Sequence, residues 1–298
     1  MGTTIDRIDI ARPHRVAGWR HRHSALHLAV TAAKDCLNGA GCAASELDLV
    51  VNAGIYRDRN LGEPALAALI QDDIGANPEE PHGGGHGTFS FDVANGACGI
   101  LTALQIVDGF LRARSIRHAI VVASDADPGH GLSENFPFSP VGAALLCGWS
   151  DDDDGLGRVF WVNSAEDGEI FSATVGFADA RNVLRVGESP GMDEAFALAA
   201  ARAAGRCLDA ESAGLTDVDL IVAAPPRPGF RAALGGRLGF PVERIAVAGD
   251  ERMHTAALAA AFQGHLGRLA AGTRVLFVAA GAGVTAGAAL YRQRPGPA

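Results

Sequence analysis

The most informative part of this sequence is one segment, which reads Phe91-Asp92-Val93-Ala94-Asn95-Gly96-Ala97-Cys98-Gly99-Ile100-Leu101-Thr102-Ala103-Leu104. Its second half begins a helix that the apolar spacing predicts from Cys98 to Arg114. The buried face of this helix is predicted to consist of Ile100, Leu101, Leu104 and Val107. Glycines on both sides of Ala97 and Cys98 tolerate unusual backbone dihedral angles. The segment therefore predicts a tight turn that leads into a buried helix.

The chain is internally repeated. Its helix and strand patterns recur in the order helix 25–37, strand 47–51, then helix 196–208, strand 218–222. Cys36 corresponds to Cys207 and Asp48 to Asp219 at one ungapped offset (207 − 36 = 219 − 48 = 171). This shared offset predicts that the first part of each half has the same local structure.

A second correspondence links the later parts of the two halves. It joins helix 98–114 and strand 118–124 with helix 255–270 and strand 274–280. Aligning Arg117 with Arg274 gives an offset of 157 (274 − 117), so loop lengths differ slightly between the halves. Under this offset Ala97 corresponds to His254. The two positions are therefore expected to be related by pseudo-symmetry.

Strands that alternate with helices in both halves predict an α/β protein. Residues 1–165 and 166–298 would form two pseudo-symmetric halves of a layered helix–sheet sandwich. Mainly parallel sheets of this kind are covered by helices. Ligand chemistry is expected where the helix N-termini converge.

The composition is that of a globular protein and excludes several function classes. Of the 298 residues 48% are hydrophobic, which is enough to bury a substantial core. A net charge of −9 works against nucleic-acid binding, and the basic cluster Arg20 to His23 is too short to change this. The sequence shows neither a membrane-length apolar run nor a signal-peptide pattern. We expect a cytoplasmic protein that binds neither nucleic acid nor membrane.

The sequence predicts no metal site. Its five cysteines show no CxxC spacing of the kind that zinc sites and redox pairs use. His82 and His86 lie in a glycine-rich stretch without a cysteine or carboxylate partner, and such histidines are usually solvated.

The segment from Phe91 to Leu104 resembles the part of β-ketoacyl-acyl-carrier-protein synthase III enzymes in which a strand turns into the helix with the nucleophilic cysteine. The segment from Gly281 to Leu290 is similar to that family's closing glycine-rich loop and final strand. The resemblance covers roughly residues 25 to 292. It implies a thiolase-like fold and acyl thioester substrates, carried by coenzyme A or acyl carrier protein, with no cofactor.

A third segment, Tyr56 to Ala65, is similar to the Arg-Asp…Glu-Pro stretch of the family's olefin-biosynthesis branch, which joins two fatty acyl thioesters head to head. In that branch a glutamate reaches across the dimer interface as a candidate base, and the resemblance gives this catalytic role to Glu63. Alternatively, Glu63 is an acidic residue near a helix start at Pro64, where the helix dipole favours it.

The chemistry of the resembled family needs a cysteine thiolate, stabilised by a helix N-terminus and a neighbouring imidazole. Two backbone N–H groups then hold the acyl carbonyl oxygen. By resemblance these belong to the nucleophile position, Ala97, and to Ala282. Gly281 and Gly283 flank Ala282 and allow a close backbone approach. This substrate loop is therefore expected to be intact.

The side chains of the catalytic site depart from the family pattern. The ungapped match places Ala97 where the family has its cysteine, and Cys98 follows one residue later. One step along a helix rotates a side chain by about 100°. Two interpretations follow: the turn is rebuilt so that Cys98 is a nucleophile, or Cys98 is a small buried residue. The apolar face of the helix favours the register with Ala97 at the tip of the turn.

The histidine positions also differ. Ala224 occupies the position of the family's catalytic histidine, and His254 occupies that of its asparagine. Related condensing enzymes with two histidines use this second location for one of them, so His254 is a candidate catalytic residue. Alternatively, His254 is a neighbour of the cap of the helix that follows it.

Two functions are therefore expected. The first is an acyltransferase or thioester hydrolase that acts through Cys98 and His254, with Glu63 as a further candidate. The second is a catalytically silent subunit that pairs with an active ketosynthase homologue. A protein that only binds an acyl chain or a carrier protein is a third possibility. The fold predicts a homodimer or heterodimer through the strand near 89–93. The missing side chains favour a specialised biosynthetic pathway.

Overall fold

The computed structural model describes residues 1–13, 24–76, 87–164, 169–178 and 180–294. The helices are α1 (Ala25–Ala40), α2 (Leu66–Ile74), α3 (Gly99–Arg112), α4 (Met192–Ala210), α5 (Pro228–Leu238) and α6 (Ala257–Leu266). The strands are β1 (Gly2–Ala11), β2 (Leu49–Asn52), β3 (Phe89–Asp92), β4 (Ala119–Asp125), β5 (Ser133–Glu134), β6 (Val141–Ser150), β7 (Gly155–Leu156), β8 (Phe160–Asn163), β9 (Phe171–Ala178), β10 (Arg181–Glu188), β11 (Leu220–Ala224), β12 (Ile245–Ala246), β13 (Arg274–Gly281) and β14 (Thr285–Arg292). Among these helices none is long and apolar enough to cross a lipid bilayer.

Most strands belong to one continuous sheet with the order β12-β11-β13-β14-β7-β1-β6-β4-β2-β3, and β8 pairs with β14. Each end of this sheet has three parallel strands, β4-β2-β3 and β13-β11-β12. An antiparallel strand, β6 or β14, lies beside each parallel set. The short strand β7 pairs with both β1 and β14 and so joins the halves.

The helices form layers on these strands. α1 and α2 share one apolar cluster with β2 and β4, and α4 and α5 share another with β11, β13 and β14. α3 and α6 lie in a third cluster that contains strand residues from both halves. The predicted layered helix–sheet sandwich is confirmed, with α3 and α6 as its middle layer.

Asp48 and Asp219 hold equivalent positions in the two halves. Oδ2 of Asp48 accepts hydrogen bonds from the backbone N–H groups of Arg117 at 2.7 Å and His118 at 3.1 Å. In the same way Oδ2 of Asp219 accepts one from the N–H of Arg274 at 2.9 Å. Asp48 therefore fixes the start of β4, and Asp219 fixes the start of β13. The internal repeat predicted from the sequence is confirmed.

A second, three-stranded sheet with the order β5-β10-β9 was not predicted. β9 and β10 form an antiparallel hairpin in which Phe171 pairs with Glu188 and Ala173 with Val186. Side chains alternate between the two faces of a strand, so these four residues share one face. Phe171, Ala173 and Glu188 belong to the wall of the cavity described next.

Candidate active site

The turn after β3 positions the first part of the site. A short 3-10 helix, Gly96–Cys98, joins β3 to the start of α3. Gly96 has a φ of 50°, in the left-handed region that glycine adopts at low cost. Nδ2 of Asn95 donates a hydrogen bond to Oγ1 of Thr102 at 2.9 Å. This bond ties the turn to the first part of α3.

A partly open cavity of about 280 Å³ lies at this turn. Its apolar wall consists of Ile55, Tyr56, Phe138, Phe171, Met192, Phe196 and Met253. Its polar side chains are Asn95, Glu188, Arg227, Glu251 and His254. Both halves and the β9–β10 hairpin contribute to the wall. An apolar cavity with a few convergent polar groups is typical of a ligand site.

The structure brings four of the residues that the sequence singled out to the cavity wall: Ala97, His254, Gly281 and Ala282. A Cβ atom added at Gly281 would lie 3.8 Å from the backbone nitrogen of Ala97. Gly283 has a φ of 114°, which side-chain-bearing residues rarely adopt. The end of β13 therefore lies against the turn, and the backbone of the loop that follows depends on glycine at position 283.

Cys98 lies outside this wall, in the apolar core. Its side chain is fully buried, and Sγ lies 3.5 Å from the carbonyl oxygen of Thr285, which can accept a hydrogen bond from the thiol. Burial raises the pKa of the Cys98 thiol to about 12. At neutral pH the sulfur is a protonated thiol and not a thiolate.

The register of α3 explains this orientation. The four residues predicted as its buried face, Ile100, Leu101, Leu104 and Val107, are each at most 1% exposed. A rotation that brought Cys98 to the cavity would turn this face away from the core by about 100°. The turn before α3 therefore places Ala97, and not a cysteine, on the cavity wall.

His254 is packed among aromatic rings. The ring of Phe138 stacks on it, with 4.3 Å between centroids and 18° between planes. Tyr56 lies 5.4 Å away and Phe171 6.1 Å away, measured between ring centroids. These contacts come from three separate segments. They fix the plane of the imidazole by packing.

His254 is only 8% exposed, and its Nε2 is buried without a hydrogen-bond partner among the described residues. A Cβ atom added at Gly96 would lie 3.5 Å from Nε2, so this nitrogen faces the turn. Burial lowers the pKa of His254, and the carboxylates of Asp125 and Glu188 oppose this only in part. The ring is therefore neutral near pH 7.

The backbone beside His254 is held by Asp125, a contact that the sequence did not predict. Asp125 is fully buried at the end of β4. Its Oδ2 accepts hydrogen bonds from the N–H and Oγ1 of Thr255, at 2.8 and 2.6 Å. Its Oδ1 accepts one from the N–H of Tyr56 at 3.3 Å. α6 has its N-cap at Ala256, so His254 precedes the cap.

Arg227 is a charged group of the wall that sequence reasoning missed. It follows buried Ala224 by three residues, in a proline-rich stretch with no signal for a binding role. Its guanidinium donates to Oδ1 of Asp193 at 2.6 Å and to Oε2 of Glu188 at 3.0 Å. A Cβ atom at Gly229 would lie 2.3 Å from the Asp193 carboxylate, so a larger residue there would displace this carboxylate. The Arg227–Glu188 pair links the hairpin to α5.

Other predicted residues lie elsewhere. Glu63 is exposed and does not line the cavity. His82, His86 and the basic cluster from Arg20 to His23 lie outside the described residues. Within the described ranges no group of three His, Cys, Asp or Glu side chains could hold a metal ion.

Comparison with known proteins identifies relatives of the whole chain, although no protein-family model matches it. The β-ketoacyl-[acyl-carrier-protein] synthase III of Acidiphilium cryptum is 28% identical and the match covers 98% of this chain and 93% of the relative. Such coverage relates both halves, and not a single motif, to synthase III proteins.

Solved structures agree with this relationship. The priming β-ketosynthase of the R1128 polyketide pathway matches with a TM-score of 0.80 at 18% identity, over 99% of this chain and 97% of that one. OleA of Xanthomonas campestris with bound lauric acid and lauroyl-CoA matches with a TM-score of 0.80 at 16% identity, over 98% of this chain and 99% of that one. The predicted thiolase-like fold is confirmed.

Proposed function

We propose that this β-ketoacyl-[acyl-carrier-protein] synthase III-like protein of the thiolase superfamily binds the acyl group of an acyl-CoA or acyl carrier protein without forming an acyl-cysteine. It would be silent in condensation and would pair with an active ketosynthase homologue in the cytoplasm, in a specialised biosynthetic pathway. One observation carries the proposal. Ala97, which has no thiol, lines the cavity, whereas the Cys98 thiol is buried and lies 3.5 Å from the carbonyl oxygen of Thr285.

The cavity wall supports acyl binding. Phe138, Phe171, Met192 and Phe196 offer an apolar surface beside the glycine loop. The solved OleA structure holds lauric acid and lauroyl-CoA. The Acidiphilium relative is a β-ketoacyl-[acyl-carrier-protein] synthase III. An apolar chain in this cavity would be shielded from water, which favours binding.

Acyl transfer through Cys98 and His254 has less support. The sulfur would have to leave the carbonyl of Thr285 and rotate toward the cavity, against the packing of α3. Its pKa, raised by burial to about 12, also opposes thiolate formation. A role for Glu63 would require a partner subunit to receive it, because this residue is exposed within its own chain.

An exposed sheet edge supports pairing with a second subunit. β3 pairs with β2 on one side only among the described strands, and Phe89 on it is 59% exposed. An unpaired strand with a large exposed apolar residue is a natural site for pairing with another chain. A second copy of the chain or a homologue would cover it.

The proposal is tested by incubating the purified chain with short and long acyl-CoA and acyl carrier protein. We expect saturable binding by calorimetry, no acyl mass on the intact protein, and no condensation with a malonyl carrier protein. Cys98→Ser is the matched control and should bind equally well. An acyl group found on Cys98 would contradict the proposal that no acyl-cysteine forms. Failure to bind any of these thioesters would overturn the proposed function itself.

A further inference from the structure

We infer that the cavity hydrolyses a bound acyl thioester directly with water, and that His254 is the general base. No covalent enzyme intermediate is involved. The inference rests on the proposed function, because the thioester must first bind in the cavity. It adds an activity to that function: a subunit silent in condensation would release acyl groups as free acids.

The unpartnered nitrogen of His254 carries this inference. A buried polar atom without a hydrogen-bond partner is uncommon in a folded protein and calls for a ligand or a chemical role. Nε2 is such an atom among the described residues, and its residue lines the cavity. Gly96 faces it without a side chain, and the position of the absent Cβ is 3.5 Å from Nε2. We place the attacking water on this side of the ring, where it would donate a hydrogen bond to Nε2.

The charges around the ring suit a base. Asp125 at the end of β4 and Glu188 on β10 act on the imidazole electrostatically. Arg227 and Glu251 also line the cavity, and Arg227 is already paired with Glu188. Burial keeps the ring unprotonated near neutral pH, and the two carboxylates stabilise the imidazolium once it forms. Packing against Phe138 holds the ring plane while the charge changes.

The reaction balances without a co-reactant other than water. Nε2 takes a proton from water while the water oxygen attacks the thioester carbonyl carbon. The backbone N–H groups of Ala97 and Ala282 would hold the negative oxygen of the tetrahedral intermediate. The carbon–sulfur bond then breaks, and the imidazolium gives its proton to the leaving thiolate. The products are a carboxylic acid and a thiol, and His254 is again neutral.

A thioester is the substrate class that this site can cleave. A thiol has an ordinary pKa of about 8.5, so thiolate is a good leaving group even with little protonation. The amine or alkoxide released from an amide or alkyl ester is a more basic and therefore poorer leaving group, which depends on protonation before its bond breaks. The absence of a thiol at Ala97 removes the competing acyl-enzyme route.

The first measurement is the rate at which the full-length protein releases carboxylate from a short-chain acyl-CoA and from lauroyl-CoA. The second is the binding, by calorimetry, of a thioether analogue of the substrate that cannot be hydrolysed. His254→Gln should lower kcat by about 100-fold or more while the analogue still binds. Cys98→Ser should retain the wild-type rate. In the wild type kcat should rise with pH through an apparent pKa below the ordinary imidazole value of 6.5.

The outcomes separate the two proposals. If the analogue binds and the wild type releases no acid, the hydrolase inference is overturned and the proposed binding function stands. If the analogue does not bind, the proposed function fails. A rate that Cys98→Ser abolishes and His254→Gln leaves intact would overturn the direct attack of water. The wild-type pH profile keeps the test valid if His254→Gln does not fold.

Discussion

The backbone N–H and the hydroxyl of Thr255 both donate to one oxygen of Asp125, at 2.8 and 2.6 Å. Asp125 ends β4 in the N-terminal half, and Thr255 belongs to the C-terminal half. The contact therefore joins the halves at the residue next to His254. Because Asp125 is fully buried, losing its charge leaves donors poorly paired in a region that water does not reach.

We expect Asp125→Asn to lower the free energy of unfolding by about 1.5–3 kcal/mol, since hydrogen bonds to charged groups contribute this much. Urea unfolding monitored by circular dichroism gives the value. Thr255→Val is the matched control, because it removes the hydroxyl and keeps the backbone donor. It should cost less than Asp125→Asn. Equal stability of Asp125→Asn and the wild type would show that this carboxylate does not hold the halves together.

Ala97→Cys should create a reactive thiol in the cavity. The new sulfur would face the cavity wall near His254 and the glycine loop, whereas Cys98 stays buried. We expect an acyl adduct on the variant after incubation with acyl-CoA, detected by intact mass and peptide mapping, and none on the wild type. The double variant with Cys98→Ser should keep the adduct. If the acyl adduct on the Ala97→Cys variant were found only at Cys98, the register of α3 would differ from the one described.

Acid should destabilise the wild type partly through His254. The pKa of this group is lowered in the folded state below the ordinary value of 6.5, so the unfolded chain binds the proton more readily. The stability that the neutral ring contributes is therefore present above about pH 6.5 and is lost as the pH falls toward the folded pKa.

His254→Gln tests this dependence because glutamine does not titrate. Urea unfolding at about pH 7 and about pH 5 should show a smaller loss of stability in the variant, with a difference of at most about 1.4 kcal/mol per pH unit for one proton. All other titrating groups are common to both proteins. An unchanged pH dependence would show that His254 takes up a proton equally readily in the folded and the unfolded chain.

The exposed edge at β3 predicts a dimer. We expect light scattering at micromolar concentration to give twice the chain mass, and Phe89→Lys to shift it toward the monomer by placing a charge on the edge. Val175→Lys is a suitable control, because this residue is similarly exposed on the hairpin but not on β3. A monomeric wild type would exclude pairing of like chains and leave only a homologue as partner.

Local patterns explain which features the sequence could predict. The repeat marked by Asp48 and Asp219 and the buried face of α3 both follow from periodicity and ungapped spacing, and the structure has both. Ala97 on the cavity wall follows from the same spacing. Their physical cause lies within short segments, where apolar residues set which side of a helix is buried.

The contacts that surround the site could not be predicted in this way. Asp125 meets Thr255 across 130 positions of sequence, and Arg227 meets Glu188 across 39. The β9–β10 hairpin is largely exposed, so its alternation is a weak signal beside the buried strands. These features depend on how separate elements pack, which no local pattern encodes.

The middle layer has a consequence for how the chain unfolds. α3 and α6 share one core with Phe277 and Tyr291, so the middle part of the interior belongs to both halves. Tyr291 also lies close to the first strand, where its hydroxyl accepts from the N–H of Ile5 at 3.5 Å. Heating should therefore melt the whole chain cooperatively, in one calorimetric transition. An ancestral protein that consisted of one half alone would have exposed this shared interior to water, unless a second copy of the same chain covered it.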